Sequence, residues 1–146
     1  MNKKAFTLVE LLATMAILAV ISIIAVPNVI KIMAENKKEK VLNDGLAFIA
    51  LAKQEVASDI DFRMSLSEIP QKKMLNNMDV NSDITLDPDG VNYNRNNSYV
   101  NISKESGEVL YCVYLTSDNW SLENTGNCVY ESDLLSDNAK TYVKEN

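Results

Sequence analysis

The sequence contains no histidine. That removes the commonest general base, the usual partner of a serine or cysteine nucleophile, and the commonest metal ligand. Glycine is scarce, at 4 residues, and no glycine-rich loop suited to cradling a phosphate occurs. The 2 cysteines cannot complete a tetrahedral zinc shell without other soft ligands. Positive charge is short where it would matter for nucleic acid. Residues 61–146 carry 7 basic against 14 acidic side chains, and no basic stripe is interleaved with aromatics. An acidic domain repels phosphate backbones, so direct binding to nucleic acid is not expected. These absences point away from catalysis, a metal and a cofactor.

Apolar weight is concentrated at the start. From Leu11 to Ile30 no residue is charged. Twenty helical residues span about 30 Å, the thickness of a bilayer's hydrocarbon core. Lys3 and Lys4 precede the run, as for a cytoplasmic N-terminus, although Lys31, Lys37, Lys38 and Lys40 follow it. A cleaved secretory peptide would have a shorter apolar core and a small-x-small site. A plain signal anchor accounts for the length but not for Glu10. That carboxylate stands at the mouth of the run, flanked by Phe6, Leu8, Val9, Leu11 and Leu12. An acidic side chain in a membrane helix costs roughly 2.5–3.5 kcal/mol at the centre and less near an end, so it usually has a partner and a task. The competing reading is a carboxylate idling among lipid headgroups.

The run Lys3-Lys4-Ala5-Phe6-Thr7-Leu8-Val9-Glu10-Leu11 resembles the processing site of type IV prepilins. That family has a short basic leader and a small residue before the cut. Phe-Thr-Leu, a hydrophobic residue and Glu follow, and then a long apolar helix. The resemblance covers about the first thirty residues and implies cleavage between Ala5 and Phe6 by a prepilin peptidase, with N-methylation of the new Phe6 amine. Ala5 departs from the usual glycine but is also small, so processing is still expected. Glu10 matches the family's acidic assembly residue, and Pro27 stands where pilins commonly carry a helix-bending proline. A proline merely tolerated in a membrane helix is the plainer reading of Pro27, and the two are compatible. Glu10 lies four residues after Phe6, so the new amine and the carboxylate are expected to face one side of the helix.

Beyond the membrane the helix is expected to continue. Leu42, Leu46, Ile49, Val56 and Ile60 recur at helical spacing as one apolar stripe suited to packing on a sheet. Gly45 weakens that stretch slightly. Ser65 with Glu68 has the spacing to cap a turn of helix, cut short by Pro70. Strands are expected at Ile84–Leu86 and Val91–Tyr93 around Pro88-Asp89-Gly90, and at Tyr99–Ile102 and Val109–Leu115 around Ser106-Gly107. A further short strand includes Cys128 to Tyr130. The result is an antiparallel meander of three to five strands. Leu134 to Val143 reads as either a short helix or an edge segment.

Cys112 and Cys128 lie in the part expected to be exported, where a disulfide can form. Two buried free thiols are the alternative. Asp79-Val80-Asn81-Ser82-Asp83 starts like a calcium loop, but Ile84 replaces the required glycine and Gly90 the required glutamate. Asp87 and Asp89 add local acid that would allow weak calcium binding, but solvated turn residues are the preferred reading. The sequons at Asn96, Asn101 and Asn119 are read as solvent-facing loops. Asp118 and Glu123 can be drawn as an acid pair, but no other residue supports catalysis there.

The expected fold is α+β, a lollipop in which a long N-terminal helix packs its second half on a small antiparallel sheet. Residues 1–5 form the leader and 6–30 the transmembrane and assembly helix. Residues 31–146 form the exported domain, divided into helix 31–60, a connecting segment 61–79 and the meander 80–146. The resemblance implies a structural subunit of a type IV pilus or related filament, held in the cytoplasmic membrane and then assembled at the cell surface. Its implied partners are identical or related subunits, the prepilin peptidase and the inner-membrane assembly platform. A minor pilin or secretion pseudopilin remains open, as does an uncleaved, signal-anchored binding or sensor domain.

Overall fold

The computed structural model describes residues 6–78 and 84–146. They fall into two units, residues 1–36 and 37–146. Helix α1 comprises Leu8–Ser58 and contains Pro27.

In the first unit the side chains of α1 are exposed throughout, including every large apolar residue from Leu8 to Met33. The stretch has a window of mean hydropathy 2.6 and is long enough to cross a membrane. Its polar residues bond within the helix, as apolar surroundings require. Thr14 donates to the Leu11 carbonyl at 2.8 Å, Ser22 to Leu18 at 2.7 Å and Asn28 to Ile24 at 3.1 Å.

In the second unit α1 ends where Asp59 takes over as N-cap of α2, Ile60–Ser65, accepting from the Phe62 amide at 2.9 Å. The cap expected from Ser65 and Glu68 is therefore not the one used. Ser65 closes α2 instead, donating to the Phe62 carbonyl at 2.7 Å, and the chain turns extended at Leu66. The break at Asp59 also removes Ile60 from the apolar stripe, and Ile60 is exposed. The buried face of α1 consists of Val41, Leu42, Asp44, Gly45, Phe48, Ile49, Ala52 and Val56, with Leu46 partly buried beside it.

Among the described residues six strands follow: β1 (Gln71–Met74), β2 (Tyr99–Glu105), β3 (Glu108–Thr116), β4 (Trp120–Leu122), β5 (Val129–Tyr130) and β6 (Val143–Glu145). They pair antiparallel in the order β1-β2-β3-β4-β6, with β5 beside β3. β1 lies inside the stretch expected to be a mere connection. Two residues join β2 to β3, and both have positive φ, 51° at Ser106 and 93° at Gly107. That is the turn whose twist suits a tight hairpin. Val100↔Val113 and Leu115↔Leu122 set the register of the core-facing side chains. With α1 packed on this sheet, the architecture is α+β.

The strands expected at Ile84–Leu86 and Val91–Tyr93 do not form a ladder. Only Leu86 and Asn92 bridge. The Asp87 carboxylate explains why, because its Oδ1 accepts from the amides of Asp89 and Val91, both at 2.9 Å. A local side-chain acceptor here competes with strand pairing. Within the tail from Leu134 to Val143 the structure forms a 3-10 turn at Ala139–Tyr142; a short α3, Glu131–Leu134, ends at its first residue and edge strand β6 begins at its last.

Candidate functional site

The start of α1 is built by three residues. The Leu11 amide bonds to the Thr7 carbonyl at 3.2 Å, which makes Thr7 the N-cap and leaves Phe6 outside the helix. Thr7 donates twice to Glu10 Oε2, from its amide and from its hydroxyl, each at 2.8 Å. In return Thr7 Oγ1 accepts from the Glu10 amide at 3.3 Å. This reciprocal arrangement is a capping box, which satisfies amides that have no partner at a helix start. The i,i+4 face expected for Phe6 and Glu10 does not arise, because the box starts the helix two residues later. Phe6 is 81% exposed. Ala5 lies outside the described residues.

Thr7 was legible only as one member of the processing motif. The spacing Thr-x-x-Glu ahead of an apolar run is itself a capping signature, and it sits at Thr7–Glu10 rather than at Ser65–Glu68.

Three of the acids in the second unit, Asp87, Asp89 and Glu123, are engaged in structure. Asp87 Oδ2 accepts from the Ser117 hydroxyl at 2.7 Å. Asp89 accepts from Lys37 and from the Trp120 indole, both at 2.6 Å, and these bonds hold its carboxyl below the usual range. The Lys37 ammonium is stabilised in turn, its pKa raised first by the bond to Asp89. Glu123 pairs with Lys144 at 2.6 Å rather than with Asp118. Asp79 to Asp83 lie outside the described residues. Among the described residues, no three histidine, cysteine, aspartate or glutamate side chains cluster to hold a metal ion.

Cys112 and Cys128 form a disulfide with a Cα–Cα distance of 5.4 Å. It joins β3 to the residue just before β5, beside the pair Cys112↔Tyr130. The choice between bonded and free thiols is thus resolved by strand pairing that brings the two backbones together.

These features define a single apolar helix, capped through an acidic residue at its start and followed by a disulfide-bonded α+β domain. Residues 1–26 match the prokaryotic N-terminal methylation motif, the signature of prepilins and type IV pilins. The motif is the one that prepilin-type proteins carry where a peptidase processes them. The apolar helix fits membrane anchoring before assembly. Comparison with curated proteins and with solved structures finds no match.

Proposed function

We propose that the chain is a structural subunit of a type IV pilus or related surface filament, cut between Ala5 and Phe6 and assembled through α1. The observation that carries this reading is Glu10, a carboxylate at the start of an apolar helix whose next charged residue is Lys31. The helix has two coverings: lipid before assembly, and the same helix of other copies afterwards. Cleavage creates an amine at Phe6, and methylation leaves it charged. In a bundle of such helices the amine of one subunit meets Glu10 of another. Surroundings of low dielectric strengthen that attraction and penalise an unpaired carboxylate. Identical or related subunits, the prepilin peptidase and the inner-membrane assembly platform are the partners this requires. Pro27 removes one helical hydrogen bond and is the proposed point at which α1 bends.

The test is Glu10→Ala, expressed beside the wild-type chain. Membrane insertion should persist, because a charge leaves an apolar stretch. The variant should be depleted from filaments sheared off the cells. Incorporation equal to wild type overturns the assembly role and favours a simple anchor.

A further inference from the structure

We propose that Asn28 makes a second interhelical contact in the assembled filament, donating its side-chain amide to the Ile23 carbonyl of another copy of this chain. The inference rests on the filament reading above and adds to it a residue, an acceptor and a register.

Between Glu10 and Lys31 the polar side chains are Thr14, Ser22 and Asn28. A hydroxyl has a single hydrogen, and Thr14 and Ser22 each use theirs on their own helix, at Leu11 and Leu18. The Asn28 amide has two. One goes to the Ile24 carbonyl at 3.1 Å, so a second N–H and the Oδ1 acceptor are left over. Asn28 is exposed, and so are Val26, Val29 and Ile30 around it. A leftover amide in apolar surroundings is costly, and between membrane helices such groups bond to a neighbouring helix. Asn28 stands just before Ile30, the end of the uncharged run. In the single chain, water and headgroups reach that depth. Inside a bundle of helices they do not, and a protein partner must replace them.

Pro27 creates that partner. It has no N–H, so the Ile23 carbonyl loses the donor that a helix places four residues on. The chain thus carries one donor in excess and one carbonyl short of a donor, at Asn28 and Ile23. The two do not face each other within one helix, because five residues turn about 140°. They meet when two parallel copies are shifted along their axes by about one turn, ~5.4 Å. The same shift brings the Phe6 amine of one copy to Glu10 of the other, since Glu10 is the fourth residue after Phe6. Glu10 and Asn28 also share a face, because the eighteen residues from one to the other make about five turns. One displacement and one face therefore serve both contacts. The copy whose amine meets Glu10 is the copy whose Ile23 carbonyl meets Asn28. The two faces in contact differ, so the association is heterologous. With an axial shift it does not close into a ring and extends as a fibre.

The experiment uses the full-length chain in filament-producing cells, co-expressed with wild type. The readout is the amount of variant in sheared filaments divided by the amount of mature variant in the membrane, both by quantitative mass spectrometry. Asn28→Leu removes the amide and makes the span more apolar, so insertion persists. It should lower the ratio about fivefold, the factor for one hydrogen bond. Pro27→Ala returns an N–H to the helix and occupies the Ile23 carbonyl. In that background Asn28→Leu should change the ratio by less than about twofold, because the two substitutions remove the same interaction.

A wild-type ratio for Asn28→Leu, alongside a depleted Glu10→Ala, overturns the inference and leaves the filament reading standing. A loss of the same size in both backgrounds also overturns it, since Asn28 then acts on something other than the carbonyl that Pro27 frees. Normal incorporation of Glu10→Ala overturns the filament reading, on which the contact depends.

Discussion

The Tyr93 hydroxyl donates a 2.8 Å hydrogen bond to Asp44 Oδ2, and both residues are buried between α1 and the loop that precedes β2. Lys40 bonds to the same oxygen at 2.8 Å and also to the Leu86 carbonyl at 2.7 Å. The three residues pin the loop to the helix. Tyr93→Phe keeps the ring, and with it the edge-on contact to Phe48 at 6.2 Å between centroids, but leaves the buried carboxylate one donor short. The expected loss is about 1–3 kcal/mol. Denaturant unfolding of the variant against wild type measures it.

The same aspartate sets a pH dependence. Burial raises the Asp44 pKa above its ordinary value, and the bonds from Lys40 and Tyr93 oppose that shift. The folded state therefore holds this proton more tightly than the unfolded state. Over the range just above the ordinary carboxylate value of about 3.9, stability from Asp44 falls as pH rises. Asp44→Asn cannot titrate. The difference in melting temperature, wild type minus Asp44→Asn, should be larger near pH 4 than at pH 7. A difference that grows toward pH 7 would contradict this assignment.

Gly45 lies where α1 approaches β4. A Cβ built there would overlap Leu122 Cδ2 and stand 3.5 Å from Val113 Cγ1. Both neighbours are buried, so space is made only by repacking. Gly45→Ala gains up to ~1 kcal/mol of helix propensity against that overlap. Gly45→Val adds more bulk and a stiff χ1, and is expected to cost about 1–3 kcal/mol. Thermal unfolding should rank the three chains with valine lowest.

The disulfide spans a sequence separation of 16 residues. Loop closure on that scale is worth about 3 kcal/mol in the chain-entropy account. Replacing both cysteines by serine should lower stability by up to that amount. Thiol labelling of the denatured, unreduced chain should find neither cysteine free.

Cleavage between Ala5 and Phe6 predicts a mature chain that begins at Phe6 with a methylated amine. Intact mass and N-terminal fragmentation of the membrane-bound protein read this directly. Ala5→Leu places a bulky side chain beside the cut and should leave precursor in the membrane. A mature wild-type chain starting elsewhere excludes the proposed site.

The apolar run of α1 and the motif from Lys3 to Leu11 were legible because each depends on neighbours in sequence. Hydropathy over twenty residues and a short string of identities need no partner. The hairpin at Ser106-Gly107 was legible for the same reason, since a two-residue turn carries its own backbone preference. The loop at Asp87 was not. Its turn residues were visible, but the Asp87 carboxylate is fixed by Ser117, thirty residues away, and by amides that a strand would have used.

Sequence by itself determined that an apolar helix occupies the first part of the chain, that a polar acidic domain follows, and that β2 and β3 turn back on each other. Only the tertiary structure decided that α1 stops at Ser58, that residues 71–74 form an edge strand, and that Cys112 meets Cys128. The reason is the range of the forces involved. Helix periodicity and turn geometry act within a few residues. Strand pairing, the close approach at Gly45 and the burial of Asp44 depend on which distant segments the packed core brings into contact.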